Sequence, residues 1–146
     1  MELTAENFWQ YCQSTYPAHQ KELITWQDSH GANVNLALFC DYLLSEQLSI
    51  TPQQIDELHT RVMAFSSTFT QPLRQLRRQF KAHQTLLNNY DALRAHMIHA
   101  ELSLERQEQA IIISLYRELL PTSYTGNAFQ GRLSYFQQLT AEHKVI

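Results

Sequence analysis

Residues 26–44 read WQDSHGANVNLALFCDYLL, and this stretch decides the fold. One helix ends at His30 and Gly31, the chain turns, and a very apolar helix begins at Asn33. Gly31 suits the left-handed position that ends a helix. Asn33 suits an N-cap, where its side-chain oxygen accepts from a free first-turn amide. Beyond it, Val34, Leu36, Ala37, Leu38, Phe39, Cys40, Tyr42, Leu43 and Leu44 leave almost no polar face. A helix apolar nearly all round lies at the centre of a bundle.

Upstream, Thr4 reads as an N-cap, with Glu6 near the positive end of the helix it starts. That helix is expected to run to about Tyr16, its inward stripe being Phe8, Trp9, Cys12 and Tyr16. Pro17 then reads as the first position of a second helix, which carries Leu23 and Trp26 inward and stops at Gly31. The apolar third helix should end near Gln47.

Downstream, Thr51-Pro52-Gln53-Gln54 is a strong start signal: an N-cap threonine, a first-turn proline and a glutamine placed to close a capping box. Ile55, Leu58, Val62 and Phe65 or Phe69 give the fourth helix its stripe. Pro72 kinks or ends it, and residues 72–82 form a fifth segment. A break is expected over 86–91, with Asn88 and Asn89 as competing caps. From Tyr90 to Leu120 no glycine or proline interrupts a helical pattern about 45 Å long at 1.5 Å per residue. Pro121 to Gly126 reads as a loop, and a last helix from about Asn127 carries Phe129, Leu133, Phe136 and Leu139.

The whole is a single all-α domain, residues 1–146, of six or seven helices with one long helix in its C-terminal half. The composition agrees. A hydrophobic fraction of 44% with 17% charged residues suits a packed globule. Three glycines and four prolines are too few for a many-stranded β protein. Cys12 and Cys40 both fall in apolar helical patterns and read as reduced, buried thiols. The N-terminus lacks the basic-then-apolar order of a signal peptide and no apolar run reaches membrane-spanning length, so a cytoplasmic protein without membrane contact is expected.

Charge is unevenly spread. The net charge is −3, yet residues 1–70 carry −6 and residues 71–83 carry +4. The basic segment places Arg74, Arg77, Arg78 and Lys81 within an arc of about 100°. Leu73, Leu76 and Phe80 lie on the adjacent arc. Guanidinium forks bind carboxylate or phosphate, so a ligand anion, DNA or an acidic protein partner would fit. The competing reading is an internal ladder to Glu101, Glu105 and Glu108, acids embedded in the apolar stripe of the long helix and therefore in need of partners. A second polar cluster, Asp28, His30, Asn33 and Asn35, flanks the central turn. It reads first as a capping network and second as a ligand pocket in which Asp28 and His30 form an acid–base pair.

His96 and His99 lack a third ligand at metal-site spacing, so no metal is expected. Phosphate-loop, dinucleotide, zinc-protease and nucleophile-elbow motifs are all missing. No cofactor and no catalytic residue is assigned.

Phe8-Trp9, the stretch from Trp26 to Cys40, PLRQLRRQFK over 72–81 and Ala100-Glu101-Leu102 together resemble an uncharacterised proteobacterial family of small helical proteins. Its pattern has an aliphatic residue, then Gln-Asp-x-His-Gly-x-Asp-Val-Asn, then a leucine-rich run ending Phe-Cys. Here Trp26 replaces the aliphatic residue and Asn33 the aspartate, which keeps the cap and loses a charge. The likeness extends to a regulator tied to type VI secretion and virulence gene expression. It implies a non-enzymatic repressor acting through DNA or a partner protein, with Arg74, Arg77, Arg78 and Lys81 as contacts. The alternative is a helical domain binding a small anion or phosphate ligand, enzymatic or not, through Asp28, His30, Asn33 and Arg77. A homodimer joined by exposed aromatics such as Trp9 or Phe129 is a third expectation.

Overall fold

The computed structural model describes residues 3–119 and 129–142. Its α-helices are α1 (Ala5–His30), α2 (Val34–Ser45), α3 (Pro52–Phe65), α4 (Gln71–Ala82), α5 (Tyr90–Glu118) and α6 (Arg132–Glu142). A π-helical turn, Ser66–Thr70, joins α3 to α4 without a break, and a short 3-10 turn, Gln84–Leu86, precedes α5. The protein is all-helical. Because α3, the π turn and α4 run on as one rod, the described residues form five rods rather than six or seven.

The expected division of the first rod at Pro17 is not observed, because α1 passes straight through that residue. Proline removes one hydrogen bond, to the Gln13 carbonyl, and a helix of 26 residues held by its neighbours tolerates the loss. Pro72 does not end a helix either. It sits in the first turn of α4, directly after the π turn. There the Gln71 amide donates to the Ser66 carbonyl, five residues back. The wider loop relieves the clash a proline ring makes with the carbonyl four positions before it.

The predicted caps hold. Thr4 accepts from the Asn7 amide at 3.1 Å, and Asn33 from the Leu36 amide at 3.0 Å. Thr51 and Gln54 close the capping box in both directions. Gln54 also donates to the Leu119 carbonyl at 2.7 Å, so one residue starts α3 and caps the end of α5. Gly31 adopts φ +68° and ends α1. Asn89 stands at the N-cap of α5 but makes no side-chain cap bond. The helix expected from about Asn127 starts only at Arg132: residues 129–131 are described and are not helical, the left-handed Gly131 preceding the helix, so Phe129 lies before it. The loop 121–126, the end of the long helix at Leu120 and residues 127–128 lie outside the described residues.

As expected, α2 is the middle of the molecule. It touches α1, α3, α5 and α6, and Leu36, Ala37, Leu38, Phe39, Cys40, Tyr42 and Leu43 are all buried. Phe39 meets the Phe8 and Tyr116 rings edge-on, both at 5.3 Å between centroids. Both cysteines are buried free thiols, and burial pushes Cys12 up to about 12. Trp9 lies under the Arg106 guanidinium, 4.6 Å from the ring centroid, and Phe129 packs on the core. Neither aromatic offers the exposed face that the homodimer expectation used.

One further anchor had no signal in the sequence. Asp41 on α2 accepts from the Arg132 backbone amide at 2.8 Å and from its guanidinium at 2.6 Å. This pins the start of α6 to the central helix. Gly131, at φ +65°, lies so close that a Cβ there would stand 2.5 Å from Asp41 Oδ1.

α4 contributes no buried residue. It packs on the π turn and on α5, with which it forms an antiparallel hairpin. That hairpin sets its cations opposite the acids of the long helix.

Candidate functional site: a polar cavity between α1, α2, α4 and α5

Most members of the two polar constellations of the sequence line one cavity of about 420 Å³. The turn before α2 contributes Asn33 and Asn35, and α1 contributes Asp28. α4 contributes Arg74, Arg77 and Arg78, and α5 contributes Glu101, Glu105, Glu108 and Gln109. Trp9, Tyr16, Ile24 and Leu38 supply apolar wall.

The predicted ladder is half right. Arg77 grips Glu101 as a fork, Nε to Oε2 at 2.5 Å and Nη2 to Oε1 at 3.2 Å. This hydrogen bond is the first cause of the upward shift of the Arg77 pKa. Arg77 therefore has little left for an outside partner. Arg74 is different. It stands 3.8 Å from Glu101 and 3.6 Å from Glu105, too far for a hydrogen bond, and makes none to a described residue. Its charge is balanced while its N–H groups remain available. Burial raises the Glu105 carboxyl above the usual range, and Arg74 opposes that rise. Arg78 is exposed at the cavity mouth, and Lys81 is exposed one turn further on, outside the lining. Neither forms an ion pair with a described residue.

Glu108 does not join the ladder, contrary to the sequence reading. It lies opposite the π turn, beyond the start of α4, where the donors within reach are neutral. Glu108 is 2% exposed and accepts from Asn33 at 2.9 Å, Asn35 at 3.3 Å and Thr70 at 2.5 Å. It also supplies the carboxylate that the first turn of α2 lacks, near the positive end of that helix. The polar cluster at the turn is thus largely the capping network expected, and Glu108 is its hub.

From this hub the polarity of the next amides follows. Asn35 gives its N–H to Glu108 and so turns its oxygen to Gln109, whose Nε2 donates to it at 3.0 Å. Gln109 Oε1 is then left buried without a partner among the described residues. On the other side, the Asn33 backbone N–H donates to the Tyr135 hydroxyl at 2.8 Å, and that hydroxyl lies 2.8 Å from His59 Nδ1.

His30 stands apart from this site. Its ring meets Phe136 edge-on at 5.1 Å, so Asp28 and His30 form no acid–base pair. Two residues apart on a helix, the side chains point to nearly opposite sides. His96 and His99 are exposed on α5. Among the described residues no group of three histidine, cysteine or acidic side chains is placed to hold a metal. None of their helices is long and apolar enough to cross a membrane.

Residues 7–112 match the model of a family described as "Protein of unknown function (DUF2390)". The chain belongs to that family. The matched span begins in α1 and ends in α5, and so takes in every residue of the cavity named above. No curated protein and no solved structure matches the chain.

The sequence reading missed Thr70, Gln109, His59 and Tyr135. Thr70 and Gln109 come within reach only through the π turn and the exact pitch of α4 against α5. Tyr135 was hidden because its helix was read from the neighbouring stripe of Leu133 and Phe136.

Proposed function

We propose that this DUF2390 protein is a non-enzymatic small-molecule-binding domain and that the cavity between α1, α2, α4 and α5 is its site. The ligand's anionic group seats on Arg74 and Arg78, one turn apart on α4. The observation that carries this reading is the state of Arg74: a lining guanidinium whose charge is met at 3.6 and 3.8 Å but whose N–H groups are not spent on any described residue. A carboxylate or phosphate could take those donors in a forked geometry. The test is thermal-shift screening with nucleotides, phosphorylated metabolites and carboxylates. A ligand at 100 times its Kd stabilises the native state by about 2.7 kcal/mol. At least one class should raise the melting temperature of the wild type and leave the Arg74→Ala, Arg78→Ala variant unmoved. A flat response across all classes counts against the site.

A second reading, regulation of gene expression by contact with DNA or a partner protein, is favoured by the exposed Arg78 and Lys81. With Arg77 held by Glu101, the basic surface is narrower than the four-residue stripe. DNA contact through two cations on an acidic body would be weak and salt-sensitive. A mobility-shift series in rising salt with Arg78→Glu and Lys81→Glu tests it. Retardation unaffected by either change, or none in the wild type, removes DNA from the account. Nothing in the comparisons supports the link to type VI secretion and virulence genes, since no curated protein matches the chain.

A further inference from the structure

The anion seat is set among acids. The described lining of the cavity holds Arg74, Arg77 and Arg78 against Asp28, Glu101, Glu105 and Glu108. Two of those acids are already satisfied: Arg77 forks Glu101, and Asn33, Asn35 and Thr70 donate to Glu108. Glu105 is not. It lines the cavity with its side chain 34% exposed and accepts no hydrogen bond from a described residue. Its Oε1 stands 3.6 Å from Arg74 Nη2, on a guanidinium side chain that is itself 20% exposed. A donor group and an acceptor group, neither spent on a described residue, thus lie side by side on the cavity wall.

That neighbourhood selects the charge of a ligand. A lone carboxylate seated on Arg74 comes close to the Glu105 carboxylate, and like charges at short range oppose each other. A ligand that carries its own cation removes the conflict. Its acid meets Arg74, its cation meets Glu105, and the charge of the cavity is unchanged. The 3.6 Å separation also sets the ligand's size. Two hydrogen bonds of about 2.9 Å, reaching out from neighbouring corners, need ligand groups about as close together as those corners. In an α-amino acid, bonds of about 1.46 and 1.52 Å meeting at about 111° put the nitrogen about 2.5 Å from the carboxyl carbon. An extended ω-amino acid spreads its charges too far. The wall for a side chain is also at hand. Tyr16 lines the cavity beside the pair: burial first, and then the Glu105 charge, raise its hydroxyl pKa, while Arg74 opposes the rise. Trp9 and Leu38 extend that wall.

We infer that the ligand is an α-amino acid with an apolar side chain, its carboxylate on Arg74 and Arg78 and its ammonium on Glu105. This rests on the reading of the cavity as a ligand site.

The experiment is calorimetric titration of the full chain at pH 7 with three probes of one skeleton. They are L-phenylalanine, 3-phenylpropanoate, which lacks the ammonium, and 2-phenylethylamine, which lacks the carboxylate. The wild type should bind phenylalanine at least ten times more tightly than either of the others. Glu105→Gln should bring phenylalanine and 3-phenylpropanoate within about threefold of each other. The variant should bind 3-phenylpropanoate no more weakly than the wild type does, which also shows that it is folded. Should Glu105→Gln not fold, the wild-type comparison alone decides. Equal affinity of the wild type for phenylalanine and 3-phenylpropanoate overturns the inference and leaves the anion site standing, with Glu105 protonated when the acid binds. A tenfold preference that survives Glu105→Gln also overturns it, because the ammonium then sits elsewhere. Failure of phenylalanine to bind at millimolar concentration overturns it too. A response in the anion screen would then keep the site, and a flat screen would remove both.

Discussion

The side-chain amide of Asn33 donates to the Glu108 carboxylate at 2.9 Å across 75 positions of chain. The same side chain caps α2 through Leu36. One residue therefore starts the central helix and ties it to the long one.

Removing the hub should cost heavily. Glu108→Ala strands the donors of Asn33, Asn35 and Thr70 in a buried place. Each buried group left unsatisfied costs about 1–3 kcal/mol, and partial relaxation brings the sum to about 3–4 kcal/mol. Urea denaturation should show a fall in the midpoint of that size. A loss under 1 kcal/mol would mean that water replaces the carboxylate.

Restoring the aspartate of the family pattern should be harmful in this chain. Asn33→Asp keeps the cap but sets a carboxylate in hydrogen-bond reach of Glu108. Two such acids cannot both ionise, and one pKa rises. A raised carboxyl pKa binds protons in the folded state, so the variant should regain stability as pH falls through that raised value. Melting temperatures of wild type and variant should converge from pH 7 toward pH 5; parallel curves would refute the coupling.

The two glycines among the described residues should respond differently. At Gly31 an added Cβ meets nothing within 4 Å, so Gly31→Ala costs only the left-handed backbone, about 1 kcal/mol. At Gly131 the same φ penalty is joined by a Cβ 2.5 Å from Asp41 Oδ1, in the contact that docks α6. Gly131→Ala should destabilise by about 2–3 kcal/mol, and hydrogen exchange should rise first in α6. Equal losses at the two sites would remove the docking role from Gly131.

Acid should loosen the interior at His59. Burial lowers its pKa below the ordinary 6.5, with Asp56 opposing. Because Tyr135 accepts from the Asn33 amide, its hydroxyl proton goes to His59 Nδ1, which needs a neutral ring. The unfolded chain binds the proton more readily, so stability is whole above pH 6.5 and declines as pH drops toward the folded value. His59→Gln should flatten the melting curve between pH 6.5 and 5; an unchanged slope would assign the decline to other groups.

Much of this fold was legible at the level of single turns. Gly31, Asn33, Thr51 and Gln54 announce their roles because caps depend on a few adjacent atoms. The burial of α2 was legible because nothing polar interrupts it. Pro17 misled, since tertiary packing overrides the cost of one lost backbone bond, whereas Pro72 does mark the interruption at the π turn and the start of α4. The site was legible in parts only. Arg74, Arg77, Glu101 and Glu105 stood out as opposite charges at helical spacing, and their pairing followed. That the turn before α2 closes the same cavity could not be read, because no local pattern encodes how two distant segments meet.

The π turn at Ser66–Thr70 has a consequence for how this chain can vary. A helix advances about 100° per residue. Wound as ordinary α-helix, the same five residues would swivel α4 by about that angle, because the wider turn absorbs one surplus residue. Thr70 would leave Glu108, and the guanidinium groups would sweep away from the cavity. Side chains on the outer flank of α4 can be exchanged one by one, while the wider turn between Phe65 and Gln71 is the indexing notch that keeps two rods in phase.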